Sequence, residues 1–221
     1  MINIHLRLQA LEHYTEINDI KRVIIHTGAM NAEFVVNYFG TLSVDQSLEC
    51  LKEMLKNNRQ TLQVVVQIAT KYSEQLQPIN LINLFESFKT YEGLYYYLGS
   101  IVNLSTDPDV HFKYIQSAVK TGQIKEAERI CRESNYYDPE KVKNFLKEAK
   151  LSDQLPLIIV CDRFDFVHDL VLYLYQQNLT KYIEVYVQKV NPARTPVVIA
   201  VNIYLGKCII DGWILTILLY T

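Results

Sequence analysis

The sequence predicts an all-α protein, an α-solenoid built from stacked antiparallel helical hairpins. Apolar residues recur with the period of an α-helix from Ile4 to Val190. Only 7 of the 221 residues are glycine and 6 are proline, which is few for a fold made of tight turns. Roughly a dozen helical segments follow one another through short connectors, and such an array favours stacked hairpins over one globular bundle.

The first well-marked helix begins after Ser43. Its apolar residues recur at the spacing of one helical face and are Val44, Leu48, Leu51 and Leu55. Ser43 and Gln46 have the spacing of a capping box, in which each side chain accepts a hydrogen bond from the other residue's backbone. Both the start of the helix and its buried face are therefore readable from the sequence.

The next three segments continue the helical pattern. The first has an apolar stripe of Leu62, Val65, Val66, Ala69 and Tyr72. Alternation of Val64, Val66 and Ile68 leaves a short strand open there, although the length of the segment favours a helix. Pro78 fits the first position of the second segment, and the third carries Tyr91, Leu94, Tyr95, Leu98 and Val102 on one stripe.

Two Asp-Pro pairs mark further helix starts. Asp107-Pro108 and Asp138-Pro139 each place a capping carboxylate before a proline at the first helical position. Gly122 lies between them as a helix end.

Residues 166–175 are apolar nearly all round, which predicts a helix buried between neighbours. The last apolar stripe consists of Tyr182, Ile183, Tyr186 and Val190.

The C-terminal residues differ in character from the rest. Between Val197 and Thr221 only Lys207 and Asp211 are charged. These charges divide the segment into uncharged runs that are shorter than the roughly 18–20 residues that span a bilayer. We therefore expect no membrane anchor and interpret residues 201–221 as a divergent hydrophobic tail that is not a folded unit.

Composition limits the classes of function. Lys plus Arg is 22 and Asp plus Glu is 24, a net charge of −2, so no global field attracts nucleic acid or an anionic membrane. The four cysteines, Cys50, Cys131, Cys161 and Cys208, are too far apart for a metal or redox motif, and they favour a reducing, cytoplasmic compartment. Without a secretory signal, the sequons at Asn103 and Asn178 are interpreted as chance matches.

The best candidate for chemistry is an acidic run. On one helix Asp162, Asp165 and Asp169 would share a face with His168 nearby, and such oxygen ligands suit Mg²⁺ or Mn²⁺. The favoured alternative is a helix start, where carboxylates complement the helix dipole. His13, His26 and His111 are interpreted as surface or hydrogen-bonded core residues, and no catalytic, cofactor-binding or metal-binding residue is predicted.

Sixteen tyrosines include the run Tyr95-Tyr96-Tyr97. Three consecutive helical residues cannot all face one core, and we expect Tyr97 to be the one near a surface or a neighbouring hairpin. Packing between hairpins is the favoured role, and a protein-contact site is the alternative.

Long strings of the sequence resemble the clathrin heavy chain. One is DQLPLIIVCDRFDFVH at residues 153–168. Others lie at residues 11–15, 19–22, 37–40, 43–51, 84–89, 107–116, 120–126, 128–135, 138–140 and 142–175. The likeness extends over about residues 6–199, and after Val198 the sequence Ile199-Ala200-Val201-Asn202 departs from the family's pattern. A truncated or misread gene end is our hypothesis for the residues that follow.

The resemblance implies a leg segment of the triskelion, from the ankle to the start of the distal leg. By analogy residues 1–42 end one heavy-chain repeat, 43–188 form a complete repeat, and 189–200 begin the next. The family's function is structural, because its legs interweave into the coat of endocytic and Golgi-derived vesicles. The implied partners are other heavy-chain legs and coat accessory proteins, with no cofactor, nucleic acid or membrane insertion. The family's propeller, light-chain site and trimerisation region are absent, so we expect a monomer or weak self-association.

Two alternatives to a structural coat segment remain. One is a helical-repeat scaffold that binds accessory proteins of vesicle traffic without assembling a lattice. The other is an enzyme that uses Asp162, Asp165 and His168 with a metal ion.

Overall fold

The computed structural model describes residues 14, 16–27, 32–57 and 61–204, and within these ranges the secondary structure is helical, without strands. The all-α prediction is therefore confirmed, and the strand alternative near Val66 is wrong. The chain divides into two compact units, Met1–Gly122 and Gln123–Thr221.

The described part of the first unit contains eight α-helices. They are α1 (Ile17–Thr27), α2 (Ala32–Tyr38), α3 (Val44–Asn57), α4 (Leu62–Lys71), α5 (Ser73–Leu76), α6 (Pro78–Ser87), α7 (Tyr91–Ile101) and α8 (Pro108–Lys120). A 3₁₀ turn at Phe39–Thr41 follows α2 directly. Each helix packs mainly on helices one to three places along the chain, for example α1 on α3, α4 on α7, and α7 on α8.

Six α-helices form the described part of the second unit. They are α9 (Ile124–Glu133), α10 (Pro139–Ala149), α11 (Leu155–Arg163), α12 (Val167–Gln176), α13 (Thr180–Val185) and α14 (Thr195–Tyr204). Helix α13 continues into a π-helical turn at Tyr186–Val190, and a 3₁₀ turn at Pro192–Arg194 precedes α14. Again packing is local in sequence, with α9 and α10 on α11, and α12 on α11 and α14.

Local capping sets the helix boundaries as the sequence predicts. The Ser43 amide donates to Gln46 Oε1 at 3.0 Å, and the Gln46 amide donates to Ser43 Oγ at 3.3 Å. The Asp107 carboxylate accepts from the Asp109 amide, and the Asp138 carboxylate accepts from two amides of α10. Gly122 has φ +77°, the left-handed conformation in which glycine is favoured after a helix.

A buried glycine brings α7 close to its neighbours in the first unit. A Cβ atom on Gly93 would lie 2.7 Å from Leu62 Cδ1 and 2.8 Å from Phe85 Cε1. Those two residues belong to α4 and α6, so α7 packs against both helices at this point. The absence of a side chain at Gly93 is what permits this approach.

The tyrosine run is arranged differently from our expectation. Tyr97 is fully buried, stacks on Phe85 and shares a 2.8 Å hydrogen bond with Ser73 Oγ, whereas Tyr96 is 56% exposed. Of the two places expected for Tyr97, the surface is wrong, and the ring instead packs on residues of neighbouring helices, because the rotation of α7 is set by its packing on α4, α6 and α8. Tyr95 is half-buried and stacks on Tyr114 with the ring planes 6° apart.

Helix α14 crosses the predicted boundary at residue 200. It runs from Thr195 to Tyr204, and Val198 and Val201 are both buried. Residues 205–221 lie outside the described residues, so the interpretation of residues 201–221 as an unfolded tail stays a prediction.

Candidate functional site

The acidic run at 162–169 is divided between two helices. Helix α11 ends at Arg163, α12 begins at Val167, and Asp165 lies in the turn between them with φ +60°. The expectation that Asp162, Asp165 and Asp169 share one helical face is wrong, because the left-handed residue ends the first helix. Only Asp169 lies in the first turn of a helix, where its charge complements the dipole.

Asp162 and Asp165 both lie near Arg194, whose Nε is 4.0 Å from Asp162 Oδ1, whereas Asp169 has other partners. Asp162 accepts hydrogen bonds from Tyr186 Oη at 2.7 Å and Asn191 Nδ2 at 2.9 Å. Asp165 pairs with Arg194 at 2.9 Å. The described residues hold no group of three or more His, Cys, Asp or Glu side chains that could bind a metal ion, and His168 is exposed.

Asp169 makes a partly buried ion pair with α10. Its carboxylate accepts from Lys143 Nζ at 2.6 Å, and Lys147 Nζ lies 3.6 Å away. The Lys143 side chain is only 6% exposed, and its ammonium group lies 4.1 Å from the centre of the Phe166 ring. The hydrogen bond from Lys143 lowers the pKa of Asp169 against the opposing effect of burial.

Arg163 connects the end of α11 to the connector between α9 and α10. Its guanidinium donates to the Cys131 and Ser134 carbonyl oxygens, to Asn135 Oδ1 and to Tyr137 Oη. The first two acceptors belong to the end of α9, where carbonyl groups lack helical partners. One cation therefore caps a helix and fixes the following connector, a role that sequence reasoning missed.

Tyr137 completes this polar cluster. Its hydroxyl donates to the Cys131 carbonyl at 2.7 Å, and its ring packs edge-on against Phe164 at 5.7 Å between centroids. Burial raises the pKa of Tyr137, so the phenol remains a neutral donor. Arg163 and Tyr137 together satisfy an acceptor that a buried helix end would otherwise leave unpaired.

The cysteines in the described residues are free and buried. Burial raises the pKa values of the Cys50, Cys131 and Cys161 thiols to about 12. A thiol in such surroundings is almost entirely protonated at neutral pH and is a poor nucleophile. Cys208 lies outside the described residues.

His111 is a core histidine with a backbone partner. It is 4% exposed, and its Nε2 lies 2.8 Å from the Ser105 carbonyl oxygen. The interpretation of His111 as a hydrogen-bonded core residue is confirmed. His13 lies outside the described residues, and the side chain of His26 is also outside them.

Among the residues that the structure describes, no helix combines the length and the apolar character that a membrane crossing needs.

Comparison with known proteins gives one consistent family. A family model described as the region in clathrin and VPS matches residues 69–205. Over 192 residues, 86% of this chain, the sequence is 72% identical to the clathrin heavy chain of Drosophila melanogaster and 70% identical to clathrin heavy chain 2 of Homo sapiens. It is 60% identical over 193 residues to the clathrin heavy chain of Dictyostelium discoideum. The chain spans only 11–12% of the length of these relatives.

Proposed function

This chain belongs to the clathrin heavy-chain family, and from that membership we propose that it is a structural segment of the clathrin vesicle coat. In this role it supplies length, stiffness and leg–leg contacts to a lattice that serves endocytosis and intracellular protein transport. The observation that carries the proposal is the 72% identity to a clathrin heavy chain over 86% of this chain. The α-solenoid prediction agrees with the matched repeat family.

The polar groups of the second unit support a mechanical role. Arg163, Asp162 and Lys143 each join residues that lie on different helices or connectors. Such links resist the sliding of one helix over the next, because breaking one leaves a buried polar group without a partner. A segment held in this way would transmit bending force with little internal rearrangement.

A catalytic role is not part of the proposal. The candidate carboxylates already accept hydrogen bonds or pair with cations of the chain, and the described thiols have pKa values raised to about 12. The three carboxylates therefore have partners within the chain. We therefore propose a coat protein without enzymatic activity, cofactor or metal.

The proposed partners are other clathrin heavy-chain legs, and coat accessory proteins are secondary partners. The proposed location is the cytoplasmic face of coated pits and coated vesicles. Residues 43–188 are proposed as one complete repeat, with the end of a preceding repeat before them and the start of another at 189–200. The shared heavy-chain sequence is what supports these assignments.

A segment exchange tests the coat function. The aligned 192-residue segment of the Drosophila heavy chain is replaced by the matching part of this chain, and purified chimeric triskelia are assembled into cages. We expect sedimentable cages in a yield within about twofold of the parental protein, because the segment's packing contacts are those of the family. Electron microscopy of the pellet checks that the particles are closed lattices.

A second chimera that also carries Arg163→Ala serves as the control for rigidity. It should form trimers but give fewer closed cages, since the link between α9 and α11 is lost. A chimera of the unmodified segment that is folded and trimeric but never assembles would contradict the proposal.

A further inference from the structure

The described part of the first unit contains a groove. It has a volume of about 1200 Å³ and is bordered by α3, α4, the connector between α6 and α7, the first turns of α7, and the end of α8. Apolar and aromatic side chains line much of it, among them Leu62, Val66, Phe88 and Tyr96. The groove therefore offers a contact surface of the kind that peptide ligands bury.

The groove extends further along α4. A second hollow of about 660 Å³ lies between α2 and α4, and Val66 and Gln67 line both spaces. Together the two spaces follow successive turns of α4, so they form an elongated path rather than one round cavity. This length fits an extended chain better than a compact small molecule.

Positive charge is concentrated in the larger space. Lys56, Lys89 and Lys120 line it against one carboxylate, Glu92, although the whole chain has a net charge of −2. Lys56 pairs with Glu53 at 2.6 Å, whereas no carboxylate among the described residues pairs with Lys89 or Lys120. Two cations are thus available to an anionic partner.

Aromatic side chains accompany these cations. The Lys120 ammonium group lies 3.9 Å from the centre of the Tyr91 ring, and Tyr96 is 56% exposed in the same groove. A tyrosine of this kind presents a large apolar face and a hydroxyl at low entropic cost, which is why tyrosine is common at protein interfaces.

The walls of the groove are held in place. The close approach of α7 to α4 and α6 at Gly93 fixes Leu62 and the α6–α7 connector. Lys89 lies in that connector with φ +54°, and the neighbouring Thr90 amide donates to the Phe85 carbonyl at 3.0 Å. A rigid groove loses little entropy when a ligand binds.

We propose that this groove binds an extended peptide segment of another protein, in which carboxylates flank an aliphatic or aromatic side chain. The apolar side chain would pack on Val66, Phe88 and Tyr96, and the carboxylates would pair with Lys89 and Lys120. A flat bilayer cannot enter a concave groove, and a phosphate backbone would leave the apolar and aromatic part of the lining without a partner. The proposed binding does not depend on the coat role, because it is a property of this chain alone.

Fluorescence anisotropy with a defined probe tests the proposal. The probe is a fluorescein-labelled peptide of sequence Asp-Glu-Ile-Asp-Phe-Glu-Asp, titrated with the full 221-residue chain. Two comparison peptides replace either its acidic residues by lysine or its Ile and Phe by glycine. We expect saturable binding of the first peptide and at least tenfold weaker binding of the other two, with affinity falling as salt rises.

Variants locate the site. K89E/K120E should weaken binding at least tenfold, and Tyr96→Ala should weaken it about fivefold with little change in salt dependence. The matched control is Lys181→Glu, since Lys181 also lies beside a tyrosine ring, Tyr182, but in the second unit. Circular dichroism verifies that each variant keeps the helical content of the parent.

Three outcomes would overturn the proposal. They are equal loss of binding in Lys181→Glu, equal affinity for the peptide that lacks Ile and Phe, and complete displacement of the probe by phosphatidylserine vesicles. The first two would indicate nonspecific charge attraction, and the third a lipid-binding surface. Cage assembly by the chimera described above is measured separately, so failure of either proposal leaves the other intact.

Discussion

The Arg163 side chain joins α11 to the end of α9 and to the connector that follows it. Its guanidinium bonds to two carbonyl groups, an amide side chain and a phenol, all on the α9–α10 side of the second unit. We expect Arg163→Ala to lower the free energy of unfolding by about 2–4 kcal/mol, because several acceptors lose a charged donor at once. Urea denaturation of the full chain, followed by circular dichroism, measures this loss.

A surface arginine supplies the matched control. Arg132 pairs with Glu128 at 2.8 Å, and its side chain is 61% exposed. Its replacement by alanine should change the free energy of unfolding by no more than about 0.5 kcal/mol, since exposed ion pairs contribute little. Equal effects of the two substitutions would refute the structural role given to Arg163.

Asp169 gives a pH-dependent prediction. Its pKa is lowered in the folded state, chiefly by Lys143, so it stabilises the fold above the pKa of an unfolded aspartate, about 3.9. This stabilisation is lost as the pH falls through the lower folded pKa. Asp169→Asn should therefore cost about 2 kcal/mol at pH 7, a reduced value because the Asp169 side chain is 47% exposed, and the cost should shrink below about pH 4.

The comparison variant for this experiment is Asp165→Asn. Asp165 also contacts a cation, Arg194, but its side chain is 76% exposed. We expect its effect on unfolding to stay within about 0.5 kcal/mol at every pH. Urea midpoints measured from pH 7 to pH 2 separate the two cases, and a pH-independent cost for Asp169→Asn would show that the ion pair is not its cause.

Single residues are also where sequence reasoning is weakest. Nothing near Arg163 in the sequence connects it to carbonyl groups 29 and 32 positions earlier, because backbone acceptors leave no signature in the amino-acid order. The carboxylates of the acidic run share one face only if a single helix includes all three of them. The turn at Asp165 uses a left-handed aspartate, which is far rarer than a glycine in that conformation.

At the scale of helices, the two glycines of α7 offer a paired test. Gly93→Ala places a Cβ atom within 2.8 Å of Leu62 and Phe85, whereas Gly99→Ala finds its nearest atom, Tyr114 Oη, at 3.4 Å. Overpacking should make Gly93→Ala destabilising by about 1–2 kcal/mol, even after alanine's gain in helix propensity. Gly99→Ala should be neutral or stabilising by up to about 1 kcal/mol.

Thermal and urea unfolding of both glycine variants measure this difference. Both substitutions add the same methyl group to the same helix, so helix propensity cancels between them. If Gly93→Ala had the same free energy of unfolding as the parent, α4 and α6 could move apart without loss of stability. That result would contradict the close packing of α7.

Helix starts were more predictable than helix phases. The caps at Ser43, Asp107 and Asp138 involve residues two or three positions apart, so the local sequence contains all the partners. The burial of Tyr97 instead depends on where α4, α6 and α8 lie, because apolar residues on more than one side of α7 could pack on these helices. Local patterns fix where a helix begins, whereas its rotation about its own axis is decided by neighbours.

Over the whole molecule, buried thiols report on unfolding. In a Cys208→Ser background we expect Cys50, Cys131 and Cys161 to react with Ellman's reagent at pH 8 at least a hundredfold more slowly in the native protein than in guanidinium chloride. All three are fully buried, and their thiol pKa values are raised to about 12, so little thiolate is accessible. Absorbance at 412 nm follows the reaction.

Pulsed alkylation in increasing urea refines this prediction. Cys131 on α9 and Cys161 on α11 lie on helices that pack directly together in the second unit. We expect both to become labelled at the same urea concentration, as read by mass spectrometry of tryptic peptides. Labelling of Cys131 well before Cys161 would show that α9 detaches on its own.

The α-solenoid class was predictable because similar helical segments repeat along the chain. Most of the described helices carry an apolar stripe too narrow to form a core alone, so successive helices must bury one another's faces. The same repetition hides where one repeat ends, because helices of both units pack on near neighbours in the chain, for example α4 on α7 and α9 on α11. The predicted limits at residues 43 and 188 therefore depend on family likeness rather than on helical periodicity.

The short range of the polar links has a consequence for biosynthesis. Ser73 and Tyr97, Lys143 and Asp169, and Asp162 and Tyr186 are 24 to 26 positions apart, and Arg163 reaches back 32 positions to Cys131. Each helix meets its partners soon after it leaves the ribosome, since contacts of low sequence separation form early and rapidly. A heavy chain made of such segments can fold progressively during translation. Little apolar surface then stays exposed while the rest of a very long polypeptide is synthesised.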